Sequence, residues 1–177
     1  MSMRLNKIIF LLLPLFIYGC SQDHQRAIYH PSEKDSLKFL VSNADFIGVI
    51  EIYDGIKGVG NAKSTLGTKS ARAKVIDPIK GGLKRNAVIR ISNESLHNKP
   101  NSIKTYLALR NGEYIGFLSN TGNTFRPLTP YSLIEIFSNS GLGRPIWKQS
   151  KSKYVDRPEI PKEKIIDEIK SAIEPPA

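Results

Sequence analysis

The pattern of hydrophobic and polar positions divides the chain into an apolar leader, a polar stretch and a long region of short alternating segments. Residues 8–18, IIFLLLPLFIY, carry no charge and follow Arg4 and Lys7 without an intervening acid. A helix that crosses a bilayer needs about 20 apolar residues. This run is shorter and is interrupted by Pro14. A positive start followed by a short apolar core is the pattern of a secretory signal peptide. A buried N-terminal helix would carry polar residues on one face, and none occur. Residues 21–35, SQDHQRAIYHPSEKD, lack apolar periodicity and predict a tether.

From residue 36 onward the periodicities shorten. Ser36 precedes Leu37, Leu40 and Val41, spaced i, i+3, i+4, which predicts a short capped helix. In residues 45–53 one face reads Phe46, Gly48, Ile50, Ile52 and the other Ile47, Val49, Glu51, Tyr53. That is a largely buried strand, with Gly48 marking a bend or bulge. Four glycines between residues 55 and 70 predict a long mobile loop. Residues 70–79 set Ala71, Ala73 and Val75 against Arg72, Lys74 and Ile76, a strand with one wet face. Residues 78–85, PIKGGLKR, predict a turn and residues 86–92 a further strand. Asn111-Gly112 lies between apolar runs 105–110 and 113–118, the strongest short hairpin signal. Residues 124–128 and 132–137 complete the strands. After a Gly/Pro segment with Trp147 and a basic linker, residues 161–173 place Ile165, Ile166, Ile169 and Ile173 on one helical stripe behind Pro161. That stripe must dock on its own domain, the simpler arrangement, or on a partner.

Short strands at regular spacing with two small helices predict a small β-barrel or sandwich. The order chooses between them. The strand led by Asp45, a lysine-rich loop, Val75-Ile76-Asp77-Pro78-Ile79-Lys80-Gly81, then Val88-Ile89, form one part of the pattern. Residues 113–118, EYIGFL, residues 125–127, FRP, and residues 130–136, PYSLIEI, form the other. Together, over roughly residues 44–137, these resemble exported bacterial OB-fold domains related in shape to tissue inhibitors of metalloproteinases and netrin modules. The resemblance implies a mainly β fold: a small OB-like five-stranded β-barrel with a short N-terminal helix and a C-terminal amphipathic helix. The inhibitors' mechanism, zinc chelation by a free N-terminal Cys held by disulfides, does not carry over, because the chain has one Cys.

That Cys has a role of its own. Ile17-Tyr18-Gly19-Cys20 resembles the lipobox of bacterial lipoproteins: aliphatic, variable, small, Cys. The resemblance implies lipidation of the Cys20 thiol, cleavage before it and an acylated amine. Ser21, where an Asp would resemble an inner-membrane retention signal, points to the periplasmic face of the outer membrane. The expected organisation is a signal peptide over 1–19, a lipidated tether over 20–35, an OB-like barrel over 36–150, and a basic linker with the C-terminal helix over 151–177.

Composition sets the remaining bounds. Of 177 residues, 40% are hydrophobic and 24% charged, which supports one packed domain. One Cys excludes an internal disulfide framework and a Cys-based zinc cluster. Three His, at 24, 30 and 97, with the first two in the tether, leave no expected metal site, and no cofactor is implied. The net charge is +10, two of it in the leader. Residues 57–90 hold nine basic residues against Asp77 alone, a surplus of eight that equals the charge of the mature chain. Such a concentration attracts anions. An exported, lipid-anchored protein does not meet nucleic acid, so the expected contacts are anionic lipid, an acidic envelope polymer or an acidic protein. Lys57, Lys63, Lys69, Arg72, Lys74, Lys84 and Arg85 are the anion-binding candidates. The bland alternative is a loop kept in solution by its lysines.

Catalytic motifs are missing. Gly58-Val-Gly-Asn-Ala-Lys63-Ser64 lacks the glycine that a phosphate loop places before its lysine. No G-x-S-x-G or H-E-x-x-H occurs, and the acids form no evident pair. Among the aromatics, Tyr106, Tyr114, Phe117, Phe125 and Tyr131 fit core packing, and Trp147 is the candidate for an exposed contact. The sequence therefore predicts a lipid-anchored periplasmic binding module without catalysis, monomeric because no thiol remains beyond Cys20. An inhibitor or immunity-type lipoprotein that blocks an envelope enzyme or toxin is the alternative, with an envelope hydrolase behind it.

Overall fold

The computed structural model describes residues 33–56, 69–96, 107–148 and 157–174. Two long strands organise it: β1 (Phe46–Asp54) and β4 (Gly112–Asn120). They lie antiparallel from Phe46 opposite Leu118 to Ile52 opposite Gly112. On its other edge β1 pairs with β2 (Ser70–Lys80), and β2 with β3 (Val88–Ser92), both antiparallel. On its own other edge β4 pairs with β5 (Phe125–Pro127), which meets β3 in parallel at Ile91 and Phe125. The circuit β1-β2-β3-β5-β4-β1 closes, so the chain forms the five-stranded OB-like barrel that the sequence predicts. The first half of β4 also carries β6 (Leu133–Ile136), which leads through the two-residue strands β7 (Leu142–Gly143) and β8 (Ile160–Pro161) into helix α2 (Lys162–Ile173).

Strand alternation makes two cores. Phe46, Ile50 and Ile52 of β1 point into the barrel with Ala71, Ala73, Val75, Ile89, Ile91, Tyr114 and Leu118. Ile47 and Val49 point outward, and so do Ile115 and Phe117 of β4. This outer apolar face is covered by α1 (Leu37–Asn43), through Leu40 and Val41, and by α2, through Ile165, Ile166 and Ile169. Past the helices, Glu51 and Tyr53 on the same side of β1 reach solvent. The stripe of α2 thus docks on its own domain. At Gly48 the ladder slips register, as the bulge signal predicts. A Cβ there would lie 2.6 Å from the Phe46 ring and 2.7 Å from the Asp77 carbonyl oxygen.

Polar contacts pin the barrel ends. Ser36 Oγ accepts from Phe39 N at 3.2 Å, capping α1 as predicted. At the other end of α1, Lys80 Nζ donates to the carbonyls of Val41 (2.7 Å) and Ala44 (2.8 Å). Asp45 Oδ2 accepts from Ser119 Oγ at 2.9 Å and from Asn120 N at 2.8 Å, tying the β4–β5 turn to the start of β1. The Asn120 N–H and the Ser119 hydroxyl hold the Asp45 carboxyl below its ordinary value.

Three local expectations are corrected. The Asn111-Gly112 hairpin does not form: residues 107–110 are not a strand, and Gly112 opens β4. A strand has two edges, and those of β4 are taken by β1 and by β5 and β6. Asn111 instead turns its Oδ1 to Gly55 N, at 2.7 Å, closing the end of β1. Second, Pro78 does not begin a turn. It pairs with Gly48 inside β2, which runs on to Lys80, with the bulge at Gly48 accommodating it. Third, Trp147 is not an exposed contact. It is half-buried in a short 3-10 turn (Ile146–Lys148), edge-on to Phe117 with ring centroids 5.7 Å apart, and its Nε1 donates to Glu168 at 3.1 Å.

Candidate functional site

Because Ala71, Ala73 and Val75 point inward, Arg72 and Lys74 must point outward. β3 repeats the arrangement. In the β2–β3 ladder Arg72 lies opposite Arg90, Lys74 opposite Val88, and Ser70 opposite Ser92. Lys69, exposed just before β2, shares the register of Ala71 rather than that of Arg72, and its backbone N–H donates to Asn93 Oδ1 at 2.9 Å. The outer surface of β2 and β3 is therefore a cluster of Arg72, Lys74 and Arg90. On an OB barrel, strands 2 and 3 with the adjoining loops form the usual ligand face. Lys57 and Lys63, in the sequence between β1 and β2, fall outside the described residues, as do Cys20, the whole leader and all three His.

The other two candidates stand apart. Lys84 and Arg85 occupy the turn between β2 and β3. Arg85 Nη2 lies 3.5 Å from Asp77 Oδ1, and Arg72 Nε 3.9 Å from Asp54 Oδ2. Both pairs are open to water, where such contacts contribute about 0–1 kcal/mol. They leave the guanidinium groups available to a ligand. The field is nonetheless one-sided: Lys74 faces Glu51 across the β1–β2 ladder, and Glu51 faces Glu113 on β4. Positive charge ends where β1 begins.

The structure adds one residue to this face. Arg90 belongs to it, and the signal for it was present in the outward position of Arg90 between Ile89 and Ile91. Lys80, part of the basic segment, is committed to the carbonyls of α1.

A second feature lay outside sequence reasoning. An open groove of about 920 Å³ separates the start of β4, the β6–β7 hairpin and the start of α2. Glu113, Glu135, Glu163 and Lys162 line it. Glu113 Oε1 is 3.2 Å from Lys162 Nζ. None of these three glutamates is buried. Beside them the hydroxyl of Tyr114 donates to Arg110 O at 3.2 Å, and burial, reinforced by Glu135, pushes it up to about 12. Among the described residues no three His, Cys, Asp or Glu come together as metal ligands, and no helix is long and apolar enough to cross a membrane.

Compared with known proteins, the chain matches no protein-family model and no curated protein.

Proposed function

We propose that this chain is a lipid-anchored module of the bacterial envelope that binds anionic partners through the outer face of β2 and β3, without catalysis. The carrying observation is the side-by-side placement of Arg72 and Arg90, with Lys74 beside them, on one sheet face. The sequence between β1 and β2 adds Lys57 and Lys63. In this reading Cys20 holds the anchor at the periplasmic face of the outer membrane, where anionic headgroups, acidic polymers and acidic proteins are within reach. A single acyl chain binds a membrane marginally, and two or more hold stably.

The test is co-sedimentation of the unlipidated chain, from residue 33, with phosphatidylglycerol vesicles at low and high salt. Each basic residue near an anionic membrane contributes about 1 kcal/mol. Reversal of Lys63, Lys69, Arg72 and Lys74 to Glu should therefore weaken binding by on the order of a thousandfold. Wild-type binding should fade as the Debye length falls from about 10 Å at 0.1 M salt to about 3 Å at 1 M. Equal sedimentation of the two proteins, or indifference to salt, refutes the anionic contact. The anchor is tested separately: the full chain in a lipoprotein-processing host should take up a palmitate analogue, and Cys20→Ser should not. A wild-type chain without label ends that part of the reading.

A further inference from the structure

The β2–β3 ladder determines which way each backbone group of β3 points. Val75 N donates to Ala87 O and Asn93 N to Lys69 O, both at 2.9 Å. In an antiparallel ladder every second pair is hydrogen-bonded. The bonded pairs here are Lys69–Asn93, Ala71–Ile91, Ala73–Ile89 and Val75–Ala87. The N–H and C=O groups of Val88, Arg90 and Ser92 therefore face the opposite edge. Among the described residues that edge meets a strand at one position, Ile91 beside Phe125 of the parallel β5. A parallel bridge there engages the groups flanking Ile91: the Arg90 carbonyl and the Ser92 N–H. The N–H and C=O of Val88 and the N–H of Arg90 are left with no strand among the described residues.

The side chains along this edge are unusual for a protected one. Val88 is 62% exposed, more than Tyr53 or Leu96. An exposed edge with a β-branched apolar residue is a template for strand addition by another chain. Arg90 on the same strand, and Arg72 and Lys74 across the ladder, repel basic strands and attract acidic ones.

We propose that the edge of β3 at Val88 and Arg90, unpaired among the described residues, receives an extended acidic segment of a partner protein as an added strand. Its backbone pairs with Val88 and Arg90, and its carboxylates meet Arg72, Lys74 and Arg90. This rests on the reading of the β2–β3 face as anion-binding and names its occupant. Donor and acceptor alternate along the edge as they do along a peptide, whereas a phosphate offers acceptors alone.

The experiment is a fluorescence-anisotropy titration of the full chain, in neutral detergent, with a labelled eight-residue peptide alternating Thr and Glu. Val88→Pro removes an N–H that faces the edge and no bond to β2, and proline is tolerated at such positions. It should weaken the peptide about tenfold, the effect of one or two hydrogen bonds. N-methylation of alternate peptide amides keeps the peptide's charge and leaves the protein untouched. It should also cost about tenfold. Arg90→Glu should weaken binding as well. If Arg90→Glu abolishes binding while N-methylation has no effect, the cations hold a diffuse anion and strand addition is wrong. A peptide that does not bind, alongside salt-sensitive retention on phosphatidylglycerol vesicles, overturns this inference and leaves the anion-binding face standing. Failure of both overturns both.

Discussion

Replacing Ile165 by Ala tests whether α2 is part of the domain, the point at which the sequence allowed either an internal or an external partner. Ile165 and Ile169 are 0% exposed in the outer core, among Leu40, Ile47, Ile115 and Phe117. The substitution deletes three carbon atoms. At about 0.8 kcal/mol per buried methylene the transfer part is about 2.4 kcal/mol. The remaining cavity adds to it, within the roughly 2–5 kcal/mol range of such truncations. A loss of about 3 kcal/mol is therefore expected from a domain whose total is on the order of 5–15 kcal/mol. Alanine is the better helix former, so intrinsic propensity acts in the opposite direction and a measured loss reports packing. At roughly 2–4 °C per kcal/mol for a chain of this size, the melting midpoint should fall by about 6–12 °C. Trp147, the single tryptophan, reports the event, since it stands edge-on to Phe117 and donates to Glu168 of α2. Its fluorescence in urea and on heating should show one cooperative transition that shifts with Ile165→Ala. Asp167→Ala, on the exposed side of the same helix, should stay within about 0.5 kcal/mol of wild type. Equal midpoints for Ile165→Ala and wild type would mean that the helix does not stabilise the barrel.

Three further outcomes follow from particular contacts. Gly48→Ala would force a Cβ to within 2.7 Å of a backbone oxygen and should cost about 1–3 kcal/mol by thermal melting. Gly116→Ala, whose Cβ would meet side chains at 3.2–3.5 Å, should cost clearly less, and the reverse order would refute the bulge geometry. Lys80→Met removes the charge-assisted bonds to Val41 and Ala44. It should destabilise by about 1.5–3 kcal/mol in urea titrations yet reduce vesicle binding less than Arg72→Glu does. Asp45 has a folded-state value below its ordinary 3.8 because Asn120 N–H and Ser119 bind the carboxylate. Its contribution is present above that ordinary value and disappears as pH falls through the folded one. The urea midpoint of wild type should therefore drop more steeply below pH 4 than that of Asp45→Asn, and parallel pH profiles would exclude the linkage.

Much of the fold could be read locally. The period-2 pattern of residues 46–53 carries both cores at once, because Phe46, Ile50 and Ile52 lie on one face and Ile47 and Val49 on the other. The cap at Ser36, the bulge at Gly48 and the isoleucine stripe of α2 are each encoded within a few residues. So is the basic character of β2, where alternation alone directs Arg72 and Lys74 outward once alanines fill the inner positions.

Tertiary structure decided whatever depended on competition between partners distant in sequence. Asn111-Gly112 carries the signal of a hairpin, yet one edge of β4 is taken by the distant β1 and the other by β5 and β6, which follow it, so no edge is left for the residues before Asn111 and the local turn loses. Pro78 reads as a breaker until the bulge at Gly48 shows how β2 can pass it. Trp147 reads as an exposed aromatic until Phe117 and Glu168 arrive from other parts of the chain. The candidate site divides in the same way. Charge and alternation in the sequence located the basic segment. Only the β2–β3 register set Arg90 beside Arg72, and only the packing of α1 against the barrel brought Lys80 to the carbonyls of Val41 and Ala44. Side-chain direction follows from strand period, a local property. Which strands are neighbours is settled by long-range pairing.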